Sequence, residues 1–227
     1  MANMSPPRSG HANPTDNGVA PALVLASSSP WRRELLQRLG LNFDCTSPNI
    51  DESPLSGEAP QELALRLARQ KATALAEQYP HHWIIGSDQV ACLANGELLN
   101  KPGTHSNAVS QLTRSSGQQV SFYTSLYLLN SATGASQQHC EPFSVQFRTL
   151  SLAEIEAYLH REEPYQCAGA FMMEGLGITL FDSLQGQDPN ALIGLPLIAL
   201  NRMLINWHCN PLLQGTRDRL NANALTP

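Results

Sequence analysis

The stretch Ala22–Leu39, ALVLASSSPWRRELLQRL, changes character halfway along, and that change decides the fold class. Leu23–Ala26 is an apolar run short enough for a buried strand. Ser27, Ser28 and Ser29 follow, then Pro30 and Trp31-Arg32-Arg33. From there Leu35, Leu36 and Leu39 recur at helical spacing, and Gly40 supplies the stop. Ser29 suits an N-cap, and a proline at the first helical position gives up no needed hydrogen bond. A strand that turns through small hydroxyl residues into a helix start offers unpaired amides and the positive end of a helix dipole. With Arg32 and Arg33 beside it, the turn describes a site for phosphate.

The chain around this turn has 227 residues, of which 42% are hydrophobic and 15% charged, values that belong to a soluble globular domain with a real core. A formal net charge of -5 excludes broad electrostatic binding to nucleic acid, so a phosphate must be held by a local cluster. No apolar run approaches the roughly 20 residues needed to cross a membrane. Five scattered cysteines without a CxxC pair suggest reduced thiols in the cytoplasm. The seven histidines show no metal-ligand spacing, and His81-His82, after Pro80, is expected to face solvent. Met1–Pro21, rich in Pro, Ser, Asn and Gly, reads as a disordered extension; residues 22–212 as the folded domain; and 213–227 as a polar tail.

Along the chain, Leu41–Thr46 reads as a second strand, followed by the acidic, proline-bounded loop Asn49–Pro54. A helix is expected over Ala59–Tyr79, with a buried stripe of Leu63, Ala64, Leu67, Ala68 and Ala74 and an outer Glu62–Arg66 pair. Trp83–Val90 reads as a short buried strand ending in a small-residue turn that carries Asp88. Asn95-Gly96 suggests a type I′ turn. Helices at Ser106–Ser116, from Ser151 to about Arg161, and at Pro196–Trp207 accompany strands at Val120–Leu129, Cys140–Arg148 and Ile178–Asp182. Interleaved helices and strands followed by a hairpin indicate an α/β fold, a mixed sheet flanked by helices forming two lobes around a cleft.

The residues able to do chemistry are Ser27, Arg32, Glu52, Lys71, Asp88 and Lys101. Singly each has an ordinary explanation: a turn serine, a solvated helix end, a loop carboxylate, a helix-face lysine. Basic residues at a helix N-terminus oppose its dipole, which favours an anionic partner there. Gly-Ser-Asp at the end of a buried strand marks a site at the strand's C-terminal edge. There is no GxxxxGK[ST], GxSxG or HExxH, and Gly175-Leu176-Gly177 lacks the rest of a dinucleotide fingerprint. Two carboxylates, three cations and a helix N-terminus suit phosphoanhydride cleavage, with the carboxylates holding a divalent ion and activating water.

LASSSPWRRELL, DES, RLARQKA, IIGSDQV, NKP and GLPL, in this order, resemble the Maf family of nucleotide pyrophosphatases. The resemblance, over about Ala22–Leu212, implies an α/β cleft fold related to the inosine-triphosphate pyrophosphatases. It also implies Mg2+ or Mn2+, a homodimer, and hydrolysis of a nucleoside triphosphate to monophosphate and diphosphate. By position Asp88 matches the general base. Ser27, Arg32, Lys71 and Lys101 match the phosphate-binding positions, and Glu52 the second acidic one; Glu52 and Asp88 are the implied metal ligands. Asn100 departs from the family's usual glycine before Lys-Pro, which bears on the placement of Lys101.

Trp31, Gln89 and Glu174 further resemble the YceF-like subgroup, whereas members acting on pyrimidine triphosphates typically carry Arg and Thr at the first two positions. That implies 7-methyl-GTP as substrate. Its cationic base suits an indole face, and a carboxylate can accept from the guanine N1–H and amine. The alternatives are a dTTP/UTP pyrophosphatase and a non-catalytic nucleotide-binding regulator of cell division.

Overall fold

A computed structural model describes residues 21–214; most of the extension and tail expected from the sequence lies outside the described residues. Strand β1 (Leu23–Leu25) leads through the serine turn into α1 (Pro30–Gln37), and β2 (Phe43–Cys45) returns beside β1. Helix α2 (Pro60–Ala74) precedes the long β3 (Trp83–Leu93), and α3 (His105–Ser115) precedes the hairpin of β4 (Gln119–Asn130) and β5 (Ser136–Phe147). Helix α4 (Leu152–Glu162), two 3-10 turns, β6 (Phe181–Gly186), α5 (Pro189–Ile193), α6 (Leu197–Asn206) and a last 3-10 turn (Pro211–Leu213) complete the order.

The six strands form one mixed sheet, ordered β2-β1-β3-β4-β5-β6. β1 runs parallel to both β2 and β3, and every later pairing is antiparallel. Alternation along β3 sorts the helices. Ile84, Gly86, Asp88 and Val90 face α2, whereas Trp83, Ile85, Ser87 and Gln89 face α1, α5 and α6. On that second face two cores lie end to end. One joins Leu35, Leu36, Ile85, Leu126, Leu200 and Leu204; the other joins Leu112, Phe122, Val145, Phe147 and Leu159. These are the two lobes.

Several expectations are corrected. Helix α2 stops at Ala74, and Ala72 and Leu75 complete its buried stripe while Ala74 is exposed. Arg66 pairs with Glu58 rather than Glu62, because Glu62 turns back to accept from the Ala59 amide at 3.3 Å. Asn95-Gly96 is not a type I′ turn: Gly96 alone of the two has positive φ, at 84°. Its amide donates to Leu93 O, the pattern of a three-residue hairpin loop. Ile178 lies in a 3-10 turn, and the strand begins only at Phe181, where it meets Phe147. His82 is half-buried, its ring edge-on to Tyr79.

The largest correction concerns Asp88. The strand does not end there, since β3 continues to Leu93 in unbroken register with β4, Asp88 opposite Ser125. What ends is its other neighbour, because β1 stops opposite Ile85. Asp88 therefore lies in mid-strand, three residues beyond the last β1 pair, on an edge that no strand covers until Cys92 meets Leu98.

Gly86 sets how closely α2 lies on this sheet. A Cβ there would stand 2.0 Å from the Ala68 carbonyl oxygen and 2.9 Å from the Ala72 nitrogen, both backbone atoms. Gly86→Ala is expected to destabilise the fold by about 3 kcal/mol through overpacking. In chemical denaturation the midpoint should fall while the m-value stays constant, and an unchanged midpoint would contradict this packing.

Candidate active site

A cavity of about 670 Å3 opens where β1 ends, and all nine residues singled out from the sequence line it: Ser27, Trp31, Arg32, Glu52, Lys71, Asp88, Gln89, Lys101 and Glu174. The volume lies among those of small-ligand sites, roughly 300–1,000 Å3. Arg33 is not among them; it is exposed and turns toward Gln37 and Asn42 on the far side of α1.

The serine turn behaves as its sequence suggests. The Ser29 hydroxyl accepts from the Arg32 amide at 3.4 Å, Pro30 opens α1, and the buried Ser27 hydroxyl accepts from the Ser29 amide at 3.1 Å. Arg32 donates from Nε to the Gly194 carbonyl at 2.8 Å. Its terminal nitrogens bond to no protein acceptor among the described residues and remain available to an anion. Burial lowers the Arg32 pKa below its ordinary value, against the opposing pull of Asp88 and Glu52.

Opposite this turn, Lys71 Nζ donates to Asp88 Oδ1 at 2.5 Å and pairs with Glu52 Oε1 at 2.8 Å. Lys71 and Asp88 are buried; the Glu52 side chain is 55% exposed. Burial pushes the Glu52 pKa upward, but the hydrogen bond and charge of Lys71, with Lys101 and Arg32, outweigh it and leave the carboxyl below its ordinary value. The second oxygen of each carboxylate accepts no protein hydrogen bond among the described residues. Paired carboxylates with free oxygens fit a hard divalent cation such as Mg2+ or Mn2+.

Glu52 is held from outside the cavity. Arg66 grips both Glu58 oxygens, at 2.6 and 2.8 Å, and donates to the Ser53 carbonyl at 2.9 Å, so one guanidinium fixes the acidic loop on both sides. The Asn100 carbonyl accepts from Gln111 Nε2 at 2.9 Å, which ties the exposed Lys101 to α3 despite the Asn100 departure.

Gln89 donates its amide hydrogens to Ala191 O at 2.8 Å, Leu192 O at 3.0 Å and Thr124 Oγ1 at 3.1 Å. It therefore fixes α5, whose Leu192 and Ile193 form part of the wall. Asp188, missed in the sequence, completes that support: it is 1% exposed and accepts from the Asn190 and Ile198 amides at 2.9 and 2.8 Å. The end of the cavity near Glu174 is apolar, with Phe122, Phe171, Met172 and Met173. In the sequence, Glu174 is singled out without these neighbours; the run Phe171-Met172-Met173 beside it is the available signal.

Fold and site together define an α/β protein whose cleft is lined by Arg32, Lys71 and Lys101 and by the carboxylates of Glu52 and Asp88. The sequence matches the family described as Maf-like protein over residues 22–207, and the chain belongs to that family. The family is in general one of nucleotide pyrophosphatases, hydrolases of a phosphoanhydride bond. Among solved structures the chain is similar to protein VC0702 from Vibrio cholerae at 9% identity and a TM-score of 0.35, covering 69% of this chain and 94% of that one. Among the described residues no helix is long and apolar enough to cross a membrane.

Glu58 supplies a test of the loop anchor. The Arg66 hydrogen bond, then the Leu55 amide, holds its pKa down at about 2 against an ordinary 4.5. Its contribution is therefore complete above about pH 4.5 and lost as pH falls toward 2. The Tm difference between wild type and Glu58→Gln should be largest near neutrality and close steadily on acidification. A gap that is constant from neutral pH down to about 3 would contradict this ion pair.

Proposed function

We propose that the chain hydrolyses a nucleoside triphosphate to the monophosphate and diphosphate, with 7-methyl-GTP as its substrate. The observation carrying this reading is that the phosphate, carboxylate and base-side candidates, far apart in sequence, line one cavity. In its polar part three cations, Arg32, Lys71 and Lys101, face two carboxylates, Glu52 and Asp88. That leaves one positive charge, too few for a triphosphate of about four negative charges. Glu52 and Asp88 would hold a divalent ion, which raises the local balance to three and supplies electrostatic stabilisation of the phosphates.

Ser27 and the Trp31 amide at the start of α1, uncommitted among the described residues, bind and orient the phosphates, and Arg32 and Lys101 neutralise them. Lys71 holds Asp88 by Oδ1, leaving Oδ2 as proton acceptor. Water loses a proton to Asp88 as its oxygen bonds to the α-phosphorus. The bond from that phosphorus to the bridging oxygen breaks, and diphosphate leaves.

At the other end Trp31, 36% exposed, offers an indole face and Glu174 a carboxylate. The 7-methylguanine ring is flat and cationic, so it gains from both: cation–π attraction at Trp31 and hydrogen bonds with charge compensation at Glu174. Gln89 acts on the base indirectly, through α5. The reading implies a cytoplasmic enzyme that keeps methylated nucleotide out of nucleic acid.

Purified protein with 7-methyl-GTP, GTP, dTTP and UTP, in Mg2+ or Mn2+, should release diphosphate fastest from the methylated nucleotide. Rapid turnover of dTTP or UTP with none of 7-methyl-GTP overturns the base assignment, and tight binding without turnover favours a regulator. Asp88→Asn is expected to lower kcat by about 100-fold or more while nucleotide still binds. Trp31→Ala should raise KM for 7-methyl-GTP by roughly 2- to 30-fold, with little change for GTP.

A further inference from the structure

We propose that His105, Glu156 and His160 form a separate surface site for a divalent transition-metal ion of the zinc class. His105 is the first residue of α3, and Glu156 and His160 stand one turn apart on α4. Their ligand atoms all lie within 4.8 Å of one another. Nε2 of His105 is 2.7 Å from Glu156 Oε2, and Nε2 of His160 is 3.7 Å from the same oxygen. With metal–ligand bonds of about 2.0–2.1 Å, tetrahedral zinc ligands sit about 3.3 Å apart, so small side-chain adjustments suffice. The two imidazoles stack at 4.9 Å with planes 26° apart, which presents both ring edges to one carboxylate.

The surrounding contacts favour an ion there. His105 Nδ1 lies 3.0 Å from the Tyr165 hydroxyl, the outer partner that a metal-ligating imidazole uses to fix its other nitrogen. When Nδ1–H donates to Tyr165, the Nε2 lone pair points to the side where Glu156 Oε2 lies and can take a metal ion there. Two imidazoles and one carboxylate suit Zn2+ or Co2+ and discriminate against Mg2+, whereas Glu52 and Asp88 offer only hard oxygen. Three protein ligands leave a position for water.

The site adjoins the cleft without belonging to it. The Tyr165 carbonyl accepts from the Gly103 amide at 2.9 Å, between Lys101 on one segment and Gln166 and Cys167 on the other, all three on the cavity wall. An ion on His105 would brace both segments from behind. Sequence spacing concealed the cluster because His105 and Glu156 are 51 residues apart.

Calorimetric titration of the full chain with Zn2+, in excess Mg2+ to occupy carboxylate-only sites, tests this. One equivalent should bind. His160→Ala and Glu156→Gln should each weaken binding about tenfold or more, and His160→Cys should restore it. His160 is 72% exposed at its side chain, so its substitution should leave the zinc-free Tm unchanged. Substituting Co2+ should give visible d–d bands that His160→Ala abolishes. Zinc affinity unchanged in both variants, or a thiolate-to-cobalt charge-transfer band placing the ion on a cysteine, overturns the proposal.

Discussion

An ammonium group buried against a carboxylate in the interior is the constraint on which the rest of the cleft depends. Lys71 and Asp88 face each other across the α2–β3 packing, both largely removed from water. Removing one partner of such a pair costs about 3–5 kcal/mol, because the other charge is left uncompensated. The pair therefore fixes α2 relative to β3 at the level of single side chains, and Gly86, one step back on the same face, sets the separation. Glu52 joins from a loop that Arg66 anchors, so helix, strand and loop meet at one nitrogen. An apolar substitute could pack α2 on the sheet. It could not hold two carboxylates together within reach of solvent.

The cleft itself follows from unequal strand lengths. β1 contributes three residues and β3 eleven, so β3 has a partner on one edge only along much of its course. An uncovered central edge is a liability in most sheets. Here it is walled by α1, the 101 loop and the 166–174 segment, and the exposed edge becomes the floor of a cavity. Both faces of β3 reach that floor: Asp88 from the α2 side, Gln89 from the α5 side.

Local chemistry made much of this legible in the sequence. The Ser29 cap, Pro30 start and Ser151–Glu154 capping box depend on neighbours within three residues, and each forms as the pattern dictates. Asp88 was legible as a residue but not for its reason, since where a strand loses its neighbour is decided by the neighbour's length. Helix α5 was invisible because its five residues are held by Asp188 and Gln89 rather than by periodicity. The Glu62–Arg66 pair failed for a related reason: spacing permits it, but Glu58 offers two oxygens to one guanidinium, and a bidentate contact prevails over a single i,i+4 one.

Adjacent residues of one helix also come to line the same cavity. Trp31 and Arg32 occupy the first turn of α1, about 100° apart around its axis. On a helix lying flat against the sheet, one would face the core and the other solvent. Here the helix begins just beyond the end of β1, and both side chains line the cavity. Arg32 is drawn inward by the Gly194 carbonyl beneath the carboxylates, and Trp31 is left on the rim. A guanidinium anchored within the fold and an accessible indole thus line one cavity from neighbouring positions of a single helix turn.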